Sequence, residues 1–245
     1  MIELKNIEVN LNGNNILKNI SIKINVGDFI TIIGPNGTGK STFLNLISGK
    51  IKPLSGDIFI DNQKVTHQSE LIRTKIIGRL FQDPKLNTVG SLSVKENISL
   101  AMLKNRTAVI RKKHANIEQD IHTLLAPICD NSHELLNKPM STLSGGQRQM
   151  VALIMATICP PKILLLDEPT AALDPVSAKK MLDFSSKFIN THKITTLLIT
   201  HDMSCAQTLG NRLWIINNGT IKKDLGPEKQ SMSIQQLTEE ISVMC

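Results

Sequence analysis

A chain of 245 residues with 41% hydrophobic content has the material for one large α/β domain, or two small ones, around a buried core. Its 28 Lys and Arg against 21 Asp and Glu give a formal charge of +7, but the excess is dispersed and one Trp, six Phe and no Tyr offer little to stack on single-stranded nucleic acid. No apolar run reaches the roughly 18 residues of a bilayer-spanning helix, and Cys129, Cys159, Cys205 and Cys245 stand too far apart for a disulfide framework or a Cys-x-x-Cys zinc site.

Alternating apolar residues from Ile2 to Leu11 and from Ile20 to Ile24 predict half-buried strands, whereas Phe29-Ile30-Thr31-Ile32-Ile33 is a continuous run suited to a central strand. A glycine-rich stretch follows, then a helix over Ser41 to Ser48, a turn at Lys52 to Gly56, a strand over Asp57 to Ile60 and a reversal at Asp61-Asn62. From about Asp83 to Ile158 helical periodicity replaces strand signals. Ser93-Val94-Lys95-Glu96 has the form of a capping box opening a helix through Met102, and a second helix is expected from about Thr107 to Leu125. That second helix carries the densest basic cluster, Arg111-Lys112-Lys113, which reads as a solvated face.

Ile163 to Leu166 returns to a buried strand, Ser177 to Thr191 to an amphipathic helix and Thr195 to Ile199 to another buried strand, the order of a parallel sheet with crossover helices. Arg212 to Asn217 and Thr220 to Asp224 form a hairpin through Asn218-Gly219, and one short helix is expected in the tail from Gly226.

The chemistry concentrates in a few phrases. Gly34-Pro35-Asn36-Gly37-Thr38-Gly39-Lys40-Ser41-Thr42 joins a strand to a helix, so backbone N–H groups and the helix dipole converge on one point. The glycines let the backbone approach a phosphate, Lys40 adds a cation at the β- and γ-phosphates, and Ser41 supplies a hydroxyl to Mg²⁺. Asp167, at the carboxyl end of the Leu164-Leu165-Leu166 strand, is placed to hold the magnesium water shell, and Glu168 beside it to orient or deprotonate an attacking water. Taken alone, Asp167-Glu168 also reads as the polar start of a loop. In Leu143-Ser144-Gly145-Gly146-Gln147, Ser144 can cap the helix that follows, leaving two glycine amides exposed for a second anion.

This last phrase, with Arg148, resembles the signature of ABC (ATP-binding cassette) ATPases, and the chain follows that family's order to about Leu225. The resemblance implies an α/β fold: a phosphate-loop NTPase core with a mixed, mainly parallel sheet and flanking helices, an N-terminal antiparallel β-subdomain and an inserted helical subdomain. Residues 1–82 and 159–225 would form the core with its β-subdomain, 83–158 the helical subdomain and 226–245 a tail. It implies further roles: Gln82 senses magnesium and the attacking water, His201 contacts the γ-phosphate as a switch, and Asp174 reaches across a dimer. Each also has a plain structural reading, an ordinary loop Gln, a strand-end His and, for Asp174 before Pro175, a helix N-cap.

Signature residues Ser144, Gly145, Gly146 and Gln147 of one copy would face the γ-phosphate held by the other, so the resemblance implies a head-to-tail homodimer with two ATP molecules at its interface. Two positions depart from the family: Leu11 falls where an aromatic residue often stacks on adenine, and Ala171 stands where Ser is common.

With one nucleotide domain and no membrane span, the chain resembles the ATP-hydrolysing subunit of a transporter, an importer in the first instance. Its partners would be membrane-spanning permease subunits, docked near Gln82 to Met102, and indirectly a solute-binding protein; the expected place is the cytoplasm, against the inner face of the membrane. Phe81 to Pro84, Asn87 to Met102 and Ala171 to Pro175 are most similar to bacterial ATPases that work with binding proteins for aromatic amino acids or related small solutes. A membrane-anchored regulator with the same ATP head stays open; a nucleic-acid machine is disfavoured by the absence of a long coiled-coil insertion.

Overall fold

The computed structural model describes residues 1–103, 125 and 132–242. Of the helix expected over 107–125 only Leu125 is among them, and the Arg111-Lys112-Lys113 cluster lies outside. The chain divides into two compact units, one made of Met1–Ile77, Lys162–Glu168 and Lys193–Cys245, the other of Gly78–Pro161 and Pro169–His192.

The first unit holds two sheets. β1 (Ile2–Leu11), β2 (Asn14–Ile24), β4 (Ser55–Ile60) and β5 (Gln63–Lys64) form an antiparallel sheet in the order β2-β1-β4-β5. β3 (Phe29–Ile33), β7 (Ile163–Asp167), β8 (Thr195–Ile199), β9 (Arg212–Asn217) and β10 (Thr220–Leu225) follow the order β10-β9-β3-β8-β7. β3 pairs in parallel with β8 and β9, and β8 with β7. Every residue of β3, β7 and β8 is buried, which is why these strands read as unbroken apolar runs rather than alternations.

α1 (Lys40–Ser48) packs into the core that both sheets share, burying Phe43, Leu44, Leu46 and Ile47. Phe43 meets Trp214 of β9 edge-on with ring centroids 5.8 Å apart. Each such buried side chain contributes about 1.5–3 kcal/mol, so the helix that begins at Lys40 is anchored along its whole inner face.

β2 begins at Asn14, six residues before the expected Ile20. Asn12 and Gly13 take positive φ (51° and 84°) in a tight hairpin turn, and register shifts between β1 and β2 break the period-two pattern that would have marked the strand's first half. The short helix α7 (Met203–Thr208) carried too little apolar periodicity to be expected. In the tail, a 3₁₀ turn (Pro227–Ser231) precedes α8 (Ile234–Ser242), where one helix was expected.

The second unit begins within β6 (Ile77–Leu80), at Gly78, and holds a 3₁₀ turn (Pro84–Leu86), α3 (Val94–Leu103), α4 (Ser132–Leu135), α5 (Gly145–Thr157) and α6 (Pro175–His192). The capping box before α3 forms as the spacing predicts: Ser93 N–H donates to Glu96 Oε2 at 2.8 Å and Glu96 N–H to Ser93 Oγ at 3.2 Å. Along α6, Met181, Ser185 and Ile189 face inward at four-residue spacing. α2 (Glu70–Arg73), in the first unit, is a single turn. Among the described residues no helix is long and apolar enough to cross a membrane.

Candidate active site

β3 delivers the chain into Gly34 and α1 takes it up at Lys40, so residues 34–39 form a loop over a helix N-terminus. Gly39, the N-cap, has φ 100° and no side-chain cap bond, and no acidic residue occupies the first turn; the helix's first amides are therefore left for an anion. Thr38 Oγ donates to Pro35 O at 2.9 Å and tightens the loop, while Asn36 and Gly37 stand exposed.

Gly34 has φ 148°, and a Cβ there would lie 2.0 Å from the carbonyl oxygen of Ile216. Gly34→Ala should accordingly cost about 3 kcal/mol or more through backbone displacement, read as a lowered urea-unfolding midpoint; an unchanged midpoint would contradict this packing.

Lys40 is 5% exposed, and its Nζ donates to Gly34 O at 2.7 Å and Pro35 O at 2.8 Å, which fixes the ammonium over the loop with a third donor remaining. Burial pushes its pKa down, opposed by the charges of Glu168 and Asp167. Ser41, next along α1, donates from Oγ to Asp167 Oδ1 at 3.2 Å. A hydroxyl paired with a buried carboxylate is a hard-oxygen set of the kind Mg²⁺ takes together with water and phosphate oxygens, so these residues fit that ion. Thr42 follows, half-buried, on the same turn.

Asp167 ends β7, 7% exposed. Glu168, the next residue, takes a left-handed backbone (φ 46°) while its N–H donates to Ile199 O at 3.0 Å. That conformation costs a non-glycine residue about 1–3 kcal/mol and is retained where surrounding structure imposes it. Here it turns the carboxylate to within 2.8 Å of His201 Nε2, Glu168 being the less exposed of the two. His201 follows β8, and Asp202 after it caps α7, accepting from the N–H groups of Ser204 (2.8 Å) and Cys205 (3.1 Å). The first unit thus brings together the loop, Lys40, Ser41, Asp167, Glu168 and His201.

The second unit carries Gln82, Ser144 to Gln147 and Asp174. Gln82 is exposed just beyond β6. Its preceding residue is held by two side chains the sequence did not flag: Asn87 Oδ1 accepts from Phe81 N at 3.2 Å, and Gln149 Nε2 donates to Phe81 O at 3.1 Å. Fully buried Asn97 ties down the stretch beyond, accepting from Val89 N at 2.8 Å and donating to Val89 O, Leu92 O and Ser93 O. Polar residues in a helical stretch give no sequence signal of such bracing.

Ser144 caps α5 in a complete capping box with Gln147. Gly145 has open space where a side chain would stand, and no acidic residue lies in that helix's first turn, so the exposed end attracts anions. Asp174 accepts from Val176 N and Ser177 N at 3.0 Å each, and the bond with Ser177 holds its carboxyl below the ordinary aspartate value; its capping role is realised in α6. Leu11, 38% exposed, ends β1 opposite Asn14.

A glycine loop with its lysine over a helix N-terminus, beside a strand-end Asp-Glu pair and a histidine, defines a nucleotide-hydrolysing phosphate-loop ATPase. A profile of the ABC transporter family matches residues 17–171. The chain is 39% identical to a tyrosine transport ATP-binding protein of Clostridioides difficile, over 98% of both chains. To a spermidine/putrescine import ATP-binding protein of Mycoplasma capricolum it is 33% identical, covering 94% of this chain but 62% of that one. Among solved structures, a dimeric ATP-binding cassette in a post-hydrolysis state with ADP and Pi superposes with TM-score 0.80 at 31% identity, over 93% of this chain and 99% of that one. The chain belongs to the ABC transporter family, and it is an ATP-binding subunit that hydrolyses ATP.

Proposed function

We propose that this chain powers a bacterial importer for an amino acid, using Glu168 as the base that activates water and two copies to complete each ATP site. The observation that carries the mechanism is the Glu168 carboxylate, turned by its left-handed backbone to 2.8 Å from His201, on the strand end whose Asp167 meets Ser41. The loop amides and Lys40 bind the phosphates. Ser41 and Asp167 would hold Mg²⁺, which supplies charge neutralisation between the phosphate oxygens. Glu168 takes the water's proton while His201 fixes the carboxylate's orientation and contacts the γ-phosphate; Gln82 reads the metal and the attacking water.

The open N-terminus of α5, with Ser144, Gly145, Gly146 and Gln147, faces the γ-phosphate bound by the other copy, and Asp174 lies at the same interface. Head-to-tail closure on two ATP molecules and reopening after hydrolysis move the permease between its two states. Residues 83–158 act as the helical subdomain and 226–245 as a C-terminal tail. Exposed Leu86, Val89 and Leu100 give residues 82–102 an apolar surface suited to a permease helix, which supports a position at the inner face of the membrane.

The likeness to the tyrosine transport protein over nearly the whole of both chains favours an amino-acid cargo over a polyamine. Co-purification with a multi-span membrane protein, and ATP-driven amino-acid uptake by that complex in proteoliposomes, tests the reading; recovery with nucleic acid and no such protein would overturn it. Leu11 supplies contact area without a ring that distinguishes bases, so kcat/KM for ATP and GTP should agree within about tenfold. A preference of several orders of magnitude would show that adenine is held elsewhere.

A further inference from the structure

The tail contains a cation remote in sequence from the phosphate loop and from Glu168. Lys229, in the 3₁₀ turn after Gly226, is wholly buried. Its Nζ donates to Thr31 Oγ at 3.1 Å, to Ala206 O at 2.8 Å and to Leu209 O. All three partners are neutral oxygens. Burial pushes the ammonium's pKa down to about 8, so a charge is being kept in an interior that disfavours it.

The partners lie on two elements of the site. Ala206 and Leu209 are at the C-terminal end of α7, where orphan carbonyls and the helix dipole attract a cation; Asp202, one residue after His201, caps the start of the same helix. Thr31 is on β3, two residues from its end at the phosphate loop, and its own Oγ donates to Ala206 O at 3.1 Å and Arg212 O at 3.2 Å. A second bond ties α7 to the tail, from Gln207 Nε2 to Met232 O. Around these bonds Ile33, Ala206, Leu213, Ile215, Leu225 and Leu237 form a small core separate from the main one.

We infer that Lys229 is a positioning residue: by pinning the C-terminal end of α7 to β3, the tail sets where His201 stands against Glu168. A buried cation does this where a neutral side chain would not, because it satisfies carbonyls from α7 and a hydroxyl from β3 at once and favours the negative end of the helix. The inference rests on the assignment of His201 to hydrolysis.

The test is a double-mutant cycle in the full chain, following ATP turnover in Lys229→Met, His201→Ala and their combination. Lys229→Met should lower kcat by about five- to tenfold with KM for ATP within about twofold, and should change nothing further in the His201→Ala background. An equal loss in both backgrounds would overturn the positioning role and leave His201's assignment standing. A His201→Ala chain of unaltered turnover would overturn that assignment, and this inference with it. Should Lys229→Met fail to fold, Gln207→Ala removes the second tie without unburying the ammonium; the same kcat loss, absent in the His201→Ala background, is expected, and no loss overturns the inference.

Discussion

Glu168→Gln is expected to bind ATP with undiminished affinity and to hydrolyse it about 10²–10⁴ times more slowly. The amide has the shape of the carboxylate, and Gln tolerates the left-handed backbone at φ 46° no worse than Glu does, so the fold and the loop beside it are kept. What disappears, on the proposed mechanism, is the proton acceptor that His201 approaches to 2.8 Å. Removing a negative charge next to the γ-phosphate also favours the closed dimer, and the slow reaction leaves it populated. Gel filtration with ATP should show a dimer peak for this variant; a monomer with unimpaired hydrolysis would contradict the role of Glu168.

Lys40→Ala should fail in both respects. The ammonium is buried and fixed by two loop carbonyls, an arrangement that stabilises charge on the phosphates without reorganisation during the reaction. Its loss should cost about 3 kcal/mol at the transition state, roughly two orders of magnitude in kcat/KM. Because the same charge acts on the ground state, ATP affinity should fall too, which distinguishes this variant from Glu168→Gln. It also leaves Asp167 and Glu168 without the cation that faces them. Equilibrium binding of a labelled nucleotide and steady-state turnover check the pair of effects, and normal values for both would remove the phosphate-loop assignment.

The parts of this site legible in the sequence are those specified over a few residues. Gly34 to Thr42, the Ser93 capping box, the Ser144 cap and the Asn218-Gly219 turn are local grammar, and the structure forms each helix start and turn there. β3, β7 and β8 were legible because burial on both faces demands unbroken apolar runs. The first half of β2 was not, since bulges interrupted its alternation, and neither was α7, whose six residues are held by Asp202 at one end and Lys229 at the other.

Residues that work by reaching across the fold left no trace in the chain. Arg73 belongs to a four-residue helix, yet it is 1% exposed and donates to Leu46 O at 2.9 Å and Ile47 O at 2.8 Å, at the end of α1. It is to the helix of the phosphate loop what Lys229 is to α7: a buried cation on the carbonyl end, far from the nucleotide end in sequence. Asn97 and Gln149 support the Gln82 loop in the same hidden manner. Asn97 reaches partners 4 to 8 residues away and Gln149 one 68 residues away, and backbone carbonyls, which every residue has, cannot advertise themselves as partners.

Mixing two inactive chains shows whether one copy contributes Lys40 and Glu168 and its mate Ser144. Ser144→Arg places a cation and bulk at the open end of α5; Lys40→Ala empties the phosphate loop; each alone should form only defective sites. Mixed in equal amounts they should recover roughly one quarter of the unmodified turnover, because random pairing gives half mixed dimers, each with one intact site of two. A mixture no faster than its components, or Ser144→Arg alone at full rate, would contradict a pocket built from two copies.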